Sequence, residues 1–444
     1  MQSHSYLRTA YICNMNDLET IYQAFLKSTG ISTDTRQLND GNLFFALKGP
    51  NFDANQWVMK AIEAGASFAV ADDPALKGIS KVFFVEDVLS CLQQLALIHR
   101  SKMKATVIAI TGSNGKTTTK ELINCVLLKK FNTIATKGNL NNHIGVPLTL
   151  LSILPETEMA VIEMGANHMG EIRQLCRIAK PDYGLITNIG KAHIEGFGSL
   201  TGVINAKSEL YSWIDDHGKM LFVDTDNELL EGLSQNIQRF TYGESLQSNL
   251  YGELVADQPF VHLAWEYGSN QSVAATKLPG AYNRSNLLAA IAVGSFFGVE
   301  VDDINDAICS YTPSNNRSQL IETKYNKVLM DAYNANPSSM EAAIRNFEKM
   351  RGSKAVVIIG DMLELGTISD EEHALILKLL TDLDFEKVIL VGPLFGRVYG
   401  GDDWLHFENA EQLQQHLKKN PIRESDILVK ASRGIRLETI LPFL

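Results

Sequence analysis

Short, continuous apolar blocks recur along most of this chain, and segments with apolar residues every three to four positions separate them. The block ATVIAIT at residues 105–111 is apolar on both faces, which is typical of a strand in a parallel sheet covered by helices. A glycine turn and a helix starting at Lys116 are predicted directly after it. The alternation continues with strands at residues 159–165, 183–189 and 219–224 and a helix at 170–179. This pattern predicts an α/β fold.

Two further α/β segments flank this central one. The first hundred residues predict strands at 43–49, 67–72 and 81–87 and helices at 57–66 and 88–103. After an irregular β-rich stretch at 239–277 and a helical block at 283–298, the pattern restarts near Pro313, with strands at 326–333, 354–362, 387–392 and 426–432. We expect three domains, at residues 1–103, 104–313 and 314–444.

Composition and charge exclude some classes of protein but do not identify a function. The chain has 444 residues, 45% hydrophobic and 20% charged, as in ordinary soluble proteins. No run reaches the roughly 18 apolar residues of a membrane helix, and residues 1–11 lack the apolar stretch of a signal peptide. We therefore expect a cytoplasmic protein. The net charge of −11 argues against a nucleic-acid binder but permits a local anion site.

The cysteines indicate neither a disulfide framework nor a zinc site. There are five of them, an odd number, and they are scattered without a CxxC pair. Reduced core or surface thiols are the expectation for Cys13, Cys91, Cys125, Cys176 and Cys309.

The strongest chemical signal is TGSNGKTT at residues 111–118, between a buried strand and a helix. Glycines allow backbone N–H groups to approach phosphate oxygens, the helix N-terminus adds partial positive charge, and Lys116 adds a full one. Thr117 is placed to hold a magnesium ion through its hydroxyl. The full pattern GxxxxGK[ST] is not met, because Ile110 stands where its first glycine would be. The strand–loop–helix context favours a shorter phosphate loop over a surface turn.

Three other residues carry weaker signals. Glu163 ends a strand predicted to lie near the phosphate loop, where a carboxylate suits Mg²⁺ better than a surface role. His193 follows the strand predicted at 183–189, and Lys207 lies on a predicted helix. From the residues alone, a structural histidine and a solvated lysine are the simpler interpretations of these two.

A set of motifs favours functional roles for these residues. The segments STDTR, TGSNGKTT, EMGANHMGEI, NIGKAHIEGFGSL, AKSEL, NRSNLLAA, DAYNANPSSM and GDMLELG occur in this order through nearly the whole chain. Together they resemble the Mur ligases. Within that family they are most similar to the branch that adds D-alanyl-D-alanine to UDP-MurNAc-tripeptide in the cytoplasmic synthesis of the peptidoglycan precursor.

The resemblance implies an α/β protein of three domains. These are a small α/β UDP-binding domain, a central P-loop-type ATP-binding α/β domain and a C-terminal Rossmann-like α/β domain that binds D-Ala-D-Ala. It implies an ADP-forming ligase that works through an acyl phosphate, with ATP and Mg²⁺. The expected partners are small molecules only, without nucleic acid or membrane insertion, and the expected state is a monomer.

The resemblance also implies residue roles. Catalytic roles fall on Lys116, Lys207 and His193. The implied metal ligands are Thr117, Glu163, His193 and Lys207. The implied ATP-binding residues are Gly112, Ser113, Asn114, Gly115, Lys116, Thr117, Thr118, Asn283, Arg317, Asp331, Asn334 and Asn336. The implied substrate-binding residues are Ser32, Thr35, Arg36, Asn139 and Asn142, the last two of which would otherwise serve as turn formers.

Lys207 matches the lysine that this family carbamylates with CO₂. A carbamate carries negative charge where a lysine carries positive charge, so it can bridge to a cation. Its formation requires a neutral amine, which burial favours by lowering the pKa of a lysine.

Some features depart from the family or stay open. Met330 stands where many members carry a second acidic residue before the YNANP segment, so Asp331 is alone there. Tyr333 is interpreted either as a stacking residue or as a core residue. The segment ASRGIRLE at 431–438 resembles the family's C-terminal motif but receives no role.

Four alternative functions fit the sequence less well. A sister ligase that adds diaminopimelate or lysine is disfavoured because many diaminopimelate-using members carry an Asp-Asn-Pro-Arg segment that is missing here. Folylpolyglutamate synthase lacks a first domain of this kind. A P-loop kinase or GTPase is disfavoured by the shortened loop, and a non-catalytic nucleotide-binding scaffold by the intact Lys116, Glu163, His193 and Lys207. The third residue of the tripeptide, diaminopimelate or lysine, stays open.

Overall fold

A computed structural model describes residues 15–352 and 354–444. The expectations for residues 1–11 and for Cys13 lie outside these described residues. Among the described cysteines, Cys91 and Cys176 are buried and Cys125 and Cys309 are partly buried, and no two of them form a disulfide. No helix in the described ranges is both long and apolar enough to cross a bilayer.

Helices and strands alternate along the described chain. The α-helices are α1 (Met15–Lys27), α2 (Val58–Glu63), α3 (Val88–Lys102), α4 (Lys116–Leu127), α5 (Gly145–Leu150), α6 (Glu171–Ala179), α7 (Ile194–Phe197), α8 (Leu200–His217), α9 (Glu228–Ser234), α10 (Arg284–Phe296), α11 (Val301–Ser310), α12 (Pro337–Met350), α13 (Ser369–Leu383), α14 (Pro393–Val398) and α15 (Ala410–Lys419). The strands are β1 (Ile31–Ser32), β2 (Leu43–Phe45), β3 (Lys48–Gly49), β4 (Phe52–Asp53), β5 (Phe68–Ala71), β6 (Val82–Phe84), β7 (Thr106–Thr111), β8 (Thr133–Ala135), β9 (Met159–Glu163), β10 (Tyr183–Ile186), β11 (Met220–Asp224), β12 (Arg239–Gly243), β13 (Leu250–Ala256), β14 (His262–Tyr267), β15 (Asn270–Ala275), β16 (Gln319–Glu322), β17 (Lys327–Asp331), β18 (Ala355–Gly360), β19 (Lys387–Val391), β20 (Leu405–Phe407) and β21 (Asp426–Lys430).

The described chain divides into two compact units. The first contains the residues up to Ala109 together with Asn132–Met164 and Arg173–Asp182, and the second contains Ile110–Phe131, Gly165–Ile172 and Tyr183–Leu444. The domain boundaries expected from the sequence, at residues 103/104 and 313/314, stay a prediction.

The first unit is built on parallel strands. One sheet has the order β1-β2-β5-β6, and its apolar face packs on α2 through Phe44, Val58 and Ala61. The start of β7, β9 and β8 follow in that order within a second sheet. The strand predicted at residues 43–49 is two strands. β2 pairs with its parallel neighbours, whereas β3 pairs antiparallel with β4 across a turn at residues 50–51.

The second unit contains two sheets. Strands β10 to β13 run parallel, and β13, β14 and β15 form an antiparallel meander at one edge. The end of β7 lies beside β10, where the Thr187 amide donates to the Thr111 carbonyl at 3.0 Å. This edge carries the phosphate-loop segment.

The other sheet is that of the C-terminal domain. Its order is β16-β17-β21-β18-β19-β20, with β16 antiparallel and the others parallel. Helices α12 and α13 cover one face and α15 covers the other, so both faces of the central strands are buried. This doubly wound arrangement places the loops after β17, β21 and β18 at one edge, where such sheets bind ligands.

Candidate active site

The phosphate loop is shaped by two glycines between β7 and α4. Gly112 and Gly115 have φ values of 145° and 78°, a region that favours glycine. A Cβ on Gly112 would collide with Thr187 Oγ1, and one on Gly115 would lie 2.5 Å from Asn286 Oδ1. The loop therefore depends on glycine both for its backbone conformation and for its close packing.

The loop is anchored to the segment after β10. Ser113 N–H donates to the Asn188 carbonyl at 2.9 Å, and the Ser113 hydroxyl donates to the Gly190 carbonyl at 3.1 Å. Asn114 N–H donates to Asn188 Oδ1 at 2.9 Å, and the Asn114 carbonyl accepts from the Thr187 hydroxyl and from Asn188 Nδ2. Asn188 and Thr187 were missed by sequence reasoning, because their partners lie more than 70 positions away in the chain.

Lys116 and Thr117 lie in the first turn of α4. Lys116 Nζ donates to the carbonyls of Gly112 and Ser113 at 2.5 and 3.1 Å, so its charge lies over the loop. Thr117 is 2% exposed. The loop and the helix N-terminus together supply the positive potential that phosphate groups require.

Asn283 and Asn286 form a buried polar chain beside the loop. Asn283 Nδ2 donates to the Pro279 carbonyl at 2.8 Å, and its Oδ1 accepts from Asn286 Nδ2 at 2.8 Å. Asn286 Oδ1 in turn accepts from the Thr119 hydroxyl at 2.9 Å. Direct contact between Asn283 and ATP stays a prediction, and Asn286 is a supporting residue that the motif NRSNLLAA contained without revealing its role.

Lys207 is buried on α8, at 1% exposure. Its Nζ donates to the Ala166 carbonyl at 3.3 Å. Burial is the main cause that lowers the pKa of Lys207 to about 7, and the charge of Lys116 lowers it further, against the opposing effect of Glu171 and Glu209. The interpretation as a solvated surface lysine is wrong, because the side chain is almost inaccessible to water.

His193 lies directly before α7, in the left-handed region, with φ 53°. Its Nδ1 pairs with Oε2 of Glu364, which follows β18 in the C-terminal domain, and the Glu195 amide donates to the Glu364 carbonyl at 3.2 Å. Hydrogen bonding to His193 lowers the pKa of Glu364. Glu364 lies in the motif GDMLELG, which was noticed in the sequence without a role for this residue.

Several predicted nucleotide contacts lie at the edge of the C-terminal sheet. Asp331 Oδ2 pairs with Lys430 Nζ at 2.6 Å, and Lys430 also donates to the Asn334 carbonyl. The Arg317 guanidinium lies 3.6 Å from the centre of the Tyr333 ring. Tyr333 is partly buried and packs against this guanidinium, and its interpretation as a stacking residue stays a prediction.

Asn336 reaches the phosphate loop itself. Its Nδ2 donates to Asn114 Oδ1 at 2.7 Å, and its Oδ1 accepts the Ser339 amide at 3.0 Å to cap α12. Within the second unit, Asn336 therefore contacts the phosphate loop and His193 contacts Glu364, whereas Arg317 and Asp331 contact Tyr333 and Lys430, respectively.

Glu163, Asn139 and Asn142 belong to the first unit. Glu163, at the end of β9, is 1% exposed, and its Oε1 accepts from Asn141 Nδ2 at 2.7 Å. Asn142 Oδ1 accepts the backbone amide of Gly145, the first residue of α5, at 2.9 Å, while Asn139 is exposed. Asn141 is a further functional candidate that the sequence did not single out from its asparagine-rich surroundings.

The predicted uridine-side residues surround a tight turn. The Ser32 hydroxyl donates to the Asp34 carbonyl at 2.9 Å, and Thr35 begins a short 3₁₀ helix capped by Asp34. Arg36 pairs with Asp34 at 2.7 Å, an interaction that lowers the pKa of Asp34 to about 2. The substrate roles of Ser32, Thr35 and Arg36 stay predictions.

The donor chemistry fits magnesium held with the help of phosphate oxygens. The Thr117 hydroxyl and the Glu163 carboxylate are hard oxygen donors, which Mg²⁺ prefers, and such ions usually take only one or two carboxylates from the protein. Residues 15–352 and 354–444 hold no group of three or more His, Cys, Asp or Glu that could bind a metal on its own.

Comparison with known proteins agrees with this geometry. The Mur ligase middle domain matches residues 110–294, and the Mur ligase glutamate ligase domain matches residues 316–436. The chain therefore belongs to the Mur ligase family. The UDP-N-acetylmuramoyl-tripeptide–D-alanyl-D-alanine ligase of Bacillus subtilis is 35% identical over 429 residues, which cover 93% of this chain and 92% of the relative.

Solved structures of MurF ligases share the whole architecture. That from Acinetobacter baumannii has a TM-score of 0.84 at 29% identity and covers 98% of this chain and 99% of its own. MurF from Thermotoga maritima, solved in complex with ADP, has a TM-score of 0.81 at 25% identity and covers 94% of this chain and 97% of its own. The three-domain α/β architecture and the class of ATP-dependent peptide ligase are thus confirmed.

Proposed function

We propose that this chain joins D-Ala-D-Ala to UDP-MurNAc-tripeptide at the expense of ATP, in the synthesis of the peptidoglycan precursor on which cell shape and division depend. The observation that carries the proposal is the phosphate loop at residues 112–118, which has Lys116 over it and the C-terminal domain hydrogen-bonded to it through Asn336. The names of the relatives support the identity of the substrates.

The reaction has two steps. The terminal carboxylate of the tripeptide attacks the γ-phosphorus of ATP, so that an acyl C–O–P bond forms and the bond to ADP breaks. The amine of D-Ala-D-Ala then attacks the acyl carbon, an amide bond forms, phosphate leaves, and the amine releases a proton. Such chemistry requires positioning and charge neutralisation more than covalent participation by the protein.

The loop residues supply these two requirements. Lys116 holds a positive charge beside the loop, where it can neutralise the transferred phosphoryl group, and the N-terminus of α4 adds to that potential. Arg317, Asp331, Asn334 and Asn283 remain proposed nucleotide contacts. Ser32, Thr35, Arg36, Asn139 and Asn142 remain proposed contacts of the UDP-MurNAc-peptide.

Mg²⁺ would be held by Thr117 and Glu163, with His193 and a carbamate on Lys207 serving a second ion. Bound there, magnesium would neutralise phosphate charge. An ammonium group cannot ligate a cation, whereas a neutral amine can react with CO₂ to give an anionic carbamate. The burial that lowers the pKa of Lys207 to about 7 leaves a substantial neutral fraction at physiological pH and so supports this modification.

We also propose that the enzyme is a cytoplasmic monomer. The phosphate loop and the C-terminal residues that contact it belong to one chain, so the described contacts require no second copy. The nucleotide-linked substrate and ATP are both small soluble molecules.

Phosphate release from Mg-ATP tests the proposal, with UDP-MurNAc-tripeptide and D-Ala-D-Ala each omitted in turn. Release that requires both supports it. Release that prefers a single amino acid over D-Ala-D-Ala indicates a sister ligase. ATP binding without release under any combination indicates a scaffold and contradicts the proposal.

A further inference from the structure

The side chains of Asn114 and Asn336 join the phosphate loop to the C-terminal domain. They lie 222 positions apart in sequence, and Asn336 Nδ2 donates to Asn114 Oδ1 at 2.7 Å. Asn336 is 7% exposed and Asn114 is partly exposed, so this bond is partly buried. It connects the loop before α4 to the residue that caps α12.

The surrounding network fixes which amide atom faces the loop. Asn336 Oδ1 accepts the backbone N–H of Ser339 at 3.0 Å, while the backbone N–H of Asn336 donates to the Ser339 hydroxyl at 3.0 Å. The oxygen is therefore committed to the capping box of α12, and the nitrogen of Asn336 remains for Asn114.

Hydrogen bonds to the segment after β10 also hold the backbone of Asn114 in place. Its backbone N–H donates to Asn188 Oδ1, and its backbone carbonyl accepts from the Thr187 hydroxyl and from Asn188 Nδ2. A neighbouring contact reinforces this one, because a Cβ on Gly190 would lie 3.0 Å from Ser338 Oγ. The N-terminus of α12 thus packs on the same segment that anchors the phosphate loop.

We propose that Asn336 is a positioning residue that acts through Asn114, so that docking of α12 sets the conformation of the phosphate loop. Nucleotide affinity then depends on the docking of the C-terminal domain, and by linkage nucleotide strengthens that docking. This inference rests on the proposed function, since it assumes that ATP binds at residues 112–118. It differs from a direct contact between Asn336 and the nucleotide.

Asn336→Ser separates the two roles of this side chain. Serine is also uncharged, is a good N-cap and keeps an acceptor for the Ser339 amide, but its side chain is too short to reach Asn114. Asn409→Ser is the matched control, because Asn409 caps α15 in the same domain by accepting the Gln412 amide at 3.0 Å. The two variants share the chemical change and the effect on a helix cap.

The affinity for Mg-ADP, measured by calorimetry on the full chain, is the readout. We expect Asn336→Ser to weaken binding about threefold to tenfold, as for one partly buried neutral hydrogen bond. Asn409→Ser should bind Mg-ADP as the wild type does. The double variant Asn114→Ala with Asn336→Ser should bind no more weakly than Asn114→Ala alone.

Two results would overturn the inference while leaving the proposed function standing. One is wild-type affinity in Asn336→Ser. The other is full additivity of the Asn114 and Asn336 substitutions, which would place Asn336 directly on the nucleotide. Failure of the wild-type protein to bind Mg-ADP would overturn both the inference and the proposed ATP site.

Discussion

Lys191 Nζ and Glu372 Oε1 lie 2.6 Å apart and join the segment after β10 to α13 of the C-terminal domain. The Glu372 side chain is only 6% exposed, while that of Lys191 is 47% exposed. The hydrogen bond to Glu372 raises the pKa of Lys191. A buried carboxylate thus has its charge matched by a lysine from another domain, next to the loop that carries His193.

Glu372→Gln should therefore lower the stability of the protein. A half-exposed partner limits the loss, which we expect to be about 1 kcal/mol. Urea denaturation at neutral pH measures it. The neighbouring Glu371→Gln is the control, because Glu371 is exposed and lies in the same first turn of α13. Equal losses in the two variants would contradict a specific role for the pair.

Lys116→Ala should abolish turnover and leave the fold intact. The substitution removes the full positive charge that lies over the phosphate loop, and we expect a loss of at least about 10³-fold in kcat. Phosphate release and circular dichroism measure the two effects. Lys129→Ala, at an exposed lysine just beyond the end of α4, should keep normal activity. Near-normal turnover in Lys116→Ala would refute the assignment of the ATP site.

Lys207→Ala should lose activity that small carboxylates partly restore. The substitution leaves a cavity where the proposed carbamate would lie, and formate or acetate could supply an anionic group there. Turnover at increasing acetate concentration measures the rescue, with the same concentrations of chloride as the salt control. Full activity of the variant without any added carboxylate would refute the carbamate role.

The pKa of Lys207 also predicts a dependence of stability on pH. In CO₂-free buffer the folded state loses the Lys207 proton near pH 7, whereas a lysine in the unfolded chain keeps it up to its ordinary pKa of 10.5. Between these values the unfolded state binds more protons, so stability should rise with pH, by up to about 1.4 kcal/mol per unit. Below pH 7 both states are protonated and this contribution is constant.

Comparison with Lys207→Met isolates this effect. Methionine has a similar length and cannot titrate, so the unfolding free energy of the wild type relative to that of the variant should increase as pH rises from 7 to 9. Denaturant unfolding at several pH values measures it. A relative free energy that stays constant over this range would show that Lys207 keeps its charge in the folded state.

Periodicity was sufficient to predict several of the long elements. The helix at residues 88–103 and the buried strands at 105–111 and 354–362 correspond closely to α3, β7 and β18, because each buries enough apolar residues to show its pattern locally. Strands β8, β16 and β20 were not predicted. They are three or four residues long and mix polar with apolar positions, so only their partners in the sheet define them.

The candidate site shows the same division. The sequence alone indicated the roles of Gly112, Gly115 and Lys116. A phosphate loop is a local motif, and adjacent residues determine its backbone conformation. Glu364 and Asn286 were not, because their partners, His193 and Thr119, lie 171 and 167 positions away.

The sequence by itself determined the α/β class, the phosphate loop and the family of this protein, because these depend on local periodicity and on motifs in order. Tertiary structure alone decided the burial that lowers the pKa of Lys207, the pairing of His193 with Glu364 and the bond from Asn336 to Asn114. Each depends on desolvation or on contact between residues far apart in the chain, and neither quantity is encoded by neighbouring positions.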